Sequence, residues 1–223
     1  MVKKTFKLLL LWLAVLSFAC ATLVAQNFAS HQPIGVHVNP SPMRTPAQHN
    51  PAGVKTLYSN LGPSTDAYYD ADGWLVTGPL SILGESQWIG LPFTVSVNAT
   101  VDALEAAVGY DGSGANGFLL GLYSDNGGTV GTLLSSGGVK NAPSFGSCCA
   151  LSVAKLNPPV SITAGTQYWI VAYTPSSGGG DDFYGAWAFA NADHFDYSID
   201  NDGWTDSLSF TGIPAGAVLG TVP

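Results

Sequence analysis

Positive charge is scarce in this sequence, which has 7 Lys and Arg against 15 Asp and Glu and a formal net charge of −8. A negative surface repels a phosphate backbone, so the composition argues against nucleic acid as a partner. Sustained helical periodicity is missing beyond the N-terminal segment, which argues against a helical bundle.

Glycine, proline and aromatic residues are abundant instead, with 27 Gly, 14 Pro, 10 Phe, 9 Tyr and 6 Trp. Aromatic residues are enriched in strands, whereas glycine and proline interrupt the chain with turns. A length of 223 residues is enough for one large core. We therefore expect a single all-β domain of many short strands.

The N-terminal segment has the pattern of a secretory signal peptide. A stretch with three lysines precedes an apolar core at 8–18, which falls short of the about 20 residues that a membrane span needs. We predict a signal peptide at 1–25, cleaved after Ala25, and therefore secretion to the periplasm, the cell surface or the medium. The mature chain has no predicted transmembrane segment. Lipidation of Cys20 is the alternative, although Ser17 and Phe18 depart from the usual lipoprotein motif.

Cleavage at this site makes the chain more acidic. It removes three lysines and no acidic residue, which leaves four basic residues against all 15 carboxylates and a net charge of −11. The acidic surface tolerates divalent cations, and residues 200–203 (Asp-Asn-Asp-Gly) resemble a cation-binding loop. They lack the alternating ligand order and the distal Glu of such loops, so we predict a hairpin turn and no metal site. A structural calcium ion is the alternative left open.

Cys148 and Cys149 are the only cysteines that remain after cleavage, and they are adjacent. In an oxidising compartment they can pair with each other. Neighbouring Cα atoms lie about 3.8 Å apart, below the usual disulfide range of roughly 4.4–6.8 Å. We predict a strained vicinal disulfide; two free thiols and pairing between molecules remain open.

Residues 26–53 are predicted to be a Pro-rich disordered linker. Prolines recur every few residues and there is little apolar content to bury. Three of the four histidines lie here, at spacings that match no compact metal site.

The folded domain is predicted at 54–223, around two strands that are apolar on both faces. They span residues 117–124 and 167–173, and a strand of this kind lies deep inside a sheet. The glycine-rich residues 125–128 after the first of them predict a hairpin turn. Residues 100–110 are expected to form one longer strand with a bulge or a half-exposed face. About a dozen strands without helices predict a jelly-roll-like antiparallel β-sandwich.

No motif in the domain predicts catalysis or a cofactor. A Gly-x-Ser-x-Gly elbow is missing, and His194 is the only histidine of the domain. A secreted hydrolase is therefore the weakest of the alternatives.

Exposed aromatic and acidic loop residues are the best candidates for contact with a ligand. They are Tyr68, Tyr69, Asp181, Asp182, Asp202 and Trp204. We predict an extracellular binding module for a glycan or matrix polymer. The alternative is a structural or adhesive protein that self-associates or binds another surface protein.

An ordered series of short motifs resembles the choice-of-anchor R domain family. The motifs are Tyr58-Ser59-Asn60-Leu61-Gly62, Gln87-Trp88-Ile89-Gly90 with Phe93-Thr94, Leu122-Tyr123-Ser124-Asp125 with Gly131-Thr132-Leu133-Leu134, Phe145-Gly146-Ser147-Cys148-Cys149, Ala164-Gly165-Thr166-Gln167-Tyr168-Trp169, and Trp187. The resemblance covers residues 56–220 and implies an exported bacterial surface domain with a β-sandwich fold. It implies no catalytic residues. Because the C terminus lacks a hydrophobic tail, we expect release rather than anchoring there.

Overall fold

The computed structural model describes residues 33–37, 53–61, 69–146, 151–177, 179–190, 196–199, 204–206 and 212–223. All of them belong to one compact unit, Pro33–Pro223. The strands are β1 (Gly35–His37), β2 (Lys55–Ser59), β3 (Tyr69–Thr77), β4 (Gln87–Thr94), β5 (Ala99–Ala106), β6 (Val108–Ser113), β7 (Gly117–Asp125), β8 (Val130–Lys140), β9 (Ser152–Ile162), β10 (Gln167–Tyr173), β11 (Tyr184–Ala190), β12 (Asp196–Ile199), β13 (Thr205–Asp206), β14 (Ile213–Pro214) and β15 (Gly216–Thr221).

The strands form two antiparallel sheets, and no helix occurs in the described part of the chain. The larger, 11-stranded sheet has the order β14-β11-β3-β4-β10-β7-β8, to which β1 adds on β3, β6 on β11, and β12 with β13 on β4. The smaller sheet has the order β2-β15-β5-β9. The predicted all-β, antiparallel sandwich is confirmed.

The two strands predicted to be central are neighbours in the larger sheet. Strands β10 and β7 pair over six residues, with Trp169 opposite Tyr123 and Ile170 opposite Leu122. Because side chains alternate along a strand, Leu120, Leu122 and Ile170 enter the main core. The intervening side chains, Tyr123, Trp169, Val171 and Tyr173, lie on the other face of the sheet.

The single strand expected over residues 100–110 is wrong. The chain leaves the smaller sheet after β5 and enters the larger sheet with β6, and Ala107 lies at the change. The Ala107 N–H donates to Ala215 O, and its carbonyl accepts from Ala188 N, each at 2.9–3.0 Å. Both hydrogen bonds join residues that are distant in sequence. The local pattern therefore did not predict that the strand ends at Ala107 and continues in the other sheet.

Pro92 lies inside β4, at a position where the sheet tolerates proline. It pairs with Trp169 on the β10 side. On the other side, the described residues of β12 pair with Gln87–Gly90 of β4. Proline cannot donate to a neighbouring strand, and among the described residues none pairs with Pro92 on that side.

Three residues of the predicted linker form a strand. Strand β1 pairs with β3, with Gly35 opposite Trp74. The buried side chain of Gln87 binds the preceding residue: Ile34 N donates to Gln87 Oε1 at 2.7 Å, and Gln87 Nε2 donates to Ile34 O at 3.1 Å. The folded unit therefore includes this short segment upstream of residue 54.

Candidate functional site

The outer face of the larger sheet, turned away from the main core, carries a second group of packed apolar side chains. Strands β4, β7 and β10 provide most of its members by simple alternation. We call it the outer-face cluster. Its members are Trp88, Leu119, Tyr123, Val130, Trp169, Val171, Tyr173 and Trp204.

Two glycines make room for the rings of this cluster. A Cβ atom at Gly121 would lie 2.6 Å from Tyr123 Cε2 and 3.1 Å from Tyr173 Cε1. A Cβ atom at Gly90 would lie 2.9 Å from Val130 Cγ2 and 3.5 Å from Trp204 Cζ3. All four distances are shorter than, or close to, ordinary van der Waals contact, so these side chains lie directly over the bare backbone of the sheet.

Four aromatic rings of the cluster form a row of successive contacts that begins on β4 and returns over it, because Trp88 belongs to β4 and Trp204 lies against Gly90 of the same strand. Trp88 lies 5.4 Å from Tyr173 between ring centroids, Tyr173 lies 6.1 Å from Tyr123, and Tyr123 lies 6.4 Å from Trp204. The interplanar angles of 59–87° are tilted or edge-on, the arrangement that the ring quadrupole favours. The two ends of the row, Trp88 and Trp204, are half-buried, whereas the rings between them are buried.

Burial affects the polar groups of two of these side chains, the Tyr123 hydroxyl and the Trp88 indole N–H. It raises the pKa of Tyr123, and the neighbouring Tyr173 raises it further. The indole Nε1 of Trp88 is buried and has no hydrogen-bond partner among the described residues. A buried indole N–H usually finds an acceptor, so Trp88 carries an unused donor at one end of the row.

The β7–β8 turn braces the cluster through Asp125. Its Oδ1 accepts hydrogen bonds from Trp169 Nε1 at 2.9 Å and from Gln167 Nε2 at 2.8 Å, and its Oδ2 accepts one from Gly128 N at 3.1 Å. Gly127 and Gly128 have φ of 69° and 96°, which glycine adopts without strain. Residues 125–128 therefore form the predicted hairpin turn, and the carboxylate fixes the buried Trp169.

These hydrogen bonds set the ionisation of Asp125. Burial alone would raise its pKa, but the hydrogen bonds from Trp169, Gly128 and Gln167 together lower it below the ordinary value. A carboxylate whose pKa is lowered by folding stabilises the fold while it is ionised.

We expect Asp125→Asn to reduce the free energy of unfolding at pH 7 by less than about 1 kcal/mol, because solvent screens this half-exposed site. The asparagine oxygen still accepts from Trp169 but has no charge. The wild-type advantage is present above the ordinary carboxyl pKa of about 4 and is lost as the pH falls through the lowered pKa. Urea unfolding of both proteins at pH 7 and pH 2.5 measures it; an equal difference at both pH values would contradict this assignment.

Of the predicted contact residues that the structure describes, only Trp204 lies in the outer-face cluster. Asp182 Oδ1 accepts from Ala115 N at 3.0 Å, and Asp181 O accepts from Leu80 N at 2.9 Å. These two aspartates therefore hold neighbouring loops. Tyr69 begins β3.

Several predictions fall on other parts of the chain. Tyr68, Cys148, Cys149 and Asp202 lie outside the described residues, so the vicinal disulfide and the 200–203 turn stay predictions. Within the described ranges, no group of three or more His, Cys, Asp or Glu side chains is placed to hold a metal ion. The described residues also contain no helix that is long and apolar enough to cross a membrane.

Sequence reasoning did not assign Trp88, Tyr123 and Tyr173 to a common surface. The available signal was the alternation in β7 and β10, which places Leu119 and Tyr123 of β7 and Trp169, Val171 and Tyr173 of β10 on the face away from the main core. Apolar residues on both faces of a strand predict burial, but they do not reveal which side chains lie together on the second face.

Comparison with known proteins adds no relative. No protein-family model matches the chain, and no curated protein matches it. The resemblance to the choice-of-anchor R domain family thus stays a prediction from the motifs.

Proposed function

We propose that this protein is an exported, non-catalytic β-sandwich module that binds an extracellular glycan or matrix polymer through the outer-face cluster. The observation that carries the proposal is the row of four rings from Trp88 to Trp204, with half-buried rings at both ends. The predicted signal peptide and the motif resemblance to the choice-of-anchor R domain family support the extracellular setting.

A row of rings suits a polymer of sugars. The C–H face of a pyranose is apolar and covers an aromatic ring, while its hydroxyl groups need hydrogen-bond partners at the rim. Binding sites commonly combine aromatic walls with a few polar groups that fix orientation. Here Trp88 and Trp204 offer the accessible ring surface, and Tyr123, Tyr173 and Trp169 support them from within the cluster.

Polar groups border the same surface. Asp125 and Gln167 are half-buried at the β7 side of the cluster. A carboxylate and an amide accept and donate hydrogen bonds to hydroxyl groups. These groups would orient a sugar chain along the row without any covalent step.

A glycan-array screen of residues 26–223, followed by calorimetry on each hit, tests the proposal. We expect Trp88→Ala and Trp204→Ala each to weaken binding about 10-fold or more, the scale for truncating a tryptophan at the centre of an interface. Tyr184→Ala is the matched control, because Tyr184 is a half-buried aromatic outside the cluster, and it should bind like wild type.

The outcomes separate the alternatives. A silent array, or hits that survive both tryptophan substitutions, would contradict the outer-face site. Release of reducing ends from a bound glycan would contradict the non-catalytic assignment.

A second candidate function is adhesion through another protein, favoured by one observation. Strand β8 ends the strand order of the larger sheet. Its second half lies against β9, where Ser135 Oγ donates to Pro158 O at 2.6 Å, but Leu133 and Leu134 before it are 43% and 39% exposed. An apolar edge strand is a template for pairing with another chain. Concentration-dependent association in analytical ultracentrifugation, with no glycan hits, would favour this function.

A further inference from the structure

The loop between β3 and β4 presents three aliphatic side chains to solvent. Within residues 78–84, which we call the aliphatic loop, Leu80 is 69% exposed, Ile82 69% and Leu83 40%. Single exposed apolar residues are normal on a protein surface. Three within four consecutive residues form a local apolar projection, and such a patch marks an interaction site.

Hydrogen bonds fix the backbone that carries these side chains. Leu80 N donates to Asp181 O at 2.9 Å, Ser81 N to Gly78 O at 3.0 Å, and Gly84 N to Ser81 O at 2.9 Å. Thr77 Oγ1 and Ser81 Oγ both donate to Glu85 O, at 3.0 Å and 3.4 Å. Hydrogen bonds thus fix the backbone of the loop at its base and across its turn, while its aliphatic side chains are exposed to solvent.

The base of the loop is closely packed as well. A Cβ atom at Gly78 would lie 2.0 Å from Asp181 O, so only glycine allows the two backbones to approach this closely. Ser81, the polar residue of the turn, is buried at 7% exposure, while its aliphatic neighbours on both sides are exposed. This order reverses the usual burial of a polar and an apolar residue.

The size and composition of the projection argue against a stable protein interface. Such an interface buries about 1,200–2,000 Å² in total, far more than three side chains on one turn supply. Interface hot spots are enriched in Trp, Tyr and Arg, and residues 78–84 contain none of them. Leu and Ile are, in contrast, among the residues that transfer most favourably into lipid hydrocarbon.

The surrounding charge determines which lipid fits. The aliphatic loop has no charged residue, the next residue along the chain is Glu85, and the backbone against it belongs to Asp181. No Lys or Arg occurs between Lys55 and Lys140 in the sequence. Anionic lipid surfaces are recognised by clustered basic residues, so this surface gains nothing from an anionic headgroup.

We propose that the aliphatic loop inserts into the surface of a zwitterionic phospholipid bilayer and so holds the protein there reversibly. Insertion of Leu80, Ile82 and Leu83 removes their side chains from water without changing the fold. One shallow apolar anchor gives weak binding, which suits reversible contact with a membrane. The proposal is independent of the outer-face cluster and of its ligand.

Flotation of the exported protein with phosphatidylcholine vesicles tests this inference, in the absence of glycan. We expect wild type to float with the vesicles and the double substitution Leu80→Ser/Ile82→Ser to reduce the bound fraction at least 5-fold. The matched control is Val97→Ser/Val153→Ser, which removes two aliphatic side chains that are 46% and 50% exposed elsewhere. It should float like wild type, and all three proteins should keep the same melting temperature.

Vesicle composition and salt provide the second readout. Replacing part of the phosphatidylcholine with phosphatidylglycerol should weaken binding, and added salt should not abolish it. Equal flotation of the loop variant and wild type, or flotation with anionic vesicles alone, would overturn the proposal. A dimer that Ile82→Ser dissociates, with no vesicle binding by wild type, would assign the loop to protein docking instead.

Discussion

Trp169→Ala is expected to reduce the free energy of unfolding by about 3–5 kcal/mol, the range for truncating a fully buried aromatic residue. Trp169 is 0% exposed although it lies on the outer face of the larger sheet. Its removal leaves a cavity beside Tyr123, which is opposite it in β7, and takes a donor from Asp125. Urea unfolding followed by far-ultraviolet circular dichroism measures the loss.

Trp169→Phe separates packing from hydrogen bonding at the same position. The phenyl ring keeps most of the buried area but cannot donate to Asp125, so we expect a loss of about 1–2 kcal/mol. Trp204→Ala is the comparison in the same cluster, and its half-buried ring should cost less than Trp169→Ala. A cost below about 1 kcal/mol for Trp169→Ala would show that the outer-face cluster contributes little to folding.

The sequence predicted the strands of this region but not the surface that they build. Strands β7 and β10 are recognisable because both alternating faces are apolar. That pattern does not reveal that their second faces meet Trp88 from β4 and Trp204 from beyond β12. Such contacts depend on the order of strands in the sheet, which periodicity does not encode.

The change of sheet at Ala107 escaped prediction for a related reason. No glycine or proline occurs at this residue, and the hydrogen-bond partners of its backbone are Ala188 and Ala215, far along the chain.

The aliphatic loop is the opposite case, because Leu80, Ile82 and Leu83 resemble core residues in the sequence. Their exposure follows from a turn whose hydrogen bonds point to Asp181 and Glu85, and tertiary context overrode the local pattern.

Gln87→Leu is expected to destabilise the protein by about 2–4 kcal/mol and to release β1 from the larger sheet. Gln87 is 1% exposed, and its amide binds both backbone groups of Ile34 and also donates to Leu75 O at 2.8 Å. Leucine has a similar volume but leaves Ile34 N and Leu75 O without this partner, whereas Ile34 O still accepts from Leu75 N at 2.9 Å. An unpaired buried group costs more than a hydrogen bond contributes. Hydrogen exchange should accelerate at the amides of Ile34 and Gly35 more than in β7 or β10.

The matched control is Gln167→Leu, which removes one side-chain hydrogen bond, to Asp125, from a half-buried position. It should cost about 1 kcal/mol or less and leave exchange at Ile34 unchanged. Protection of β1 that survives Gln87→Leu would mean that pairing of Gly35 with Trp74 holds the segment without the glutamine. Loss of that protection would instead show that the buried side-chain amide of Gln87 holds residues 33–37 on the folded domain. These residues lie within the segment predicted to be a linker.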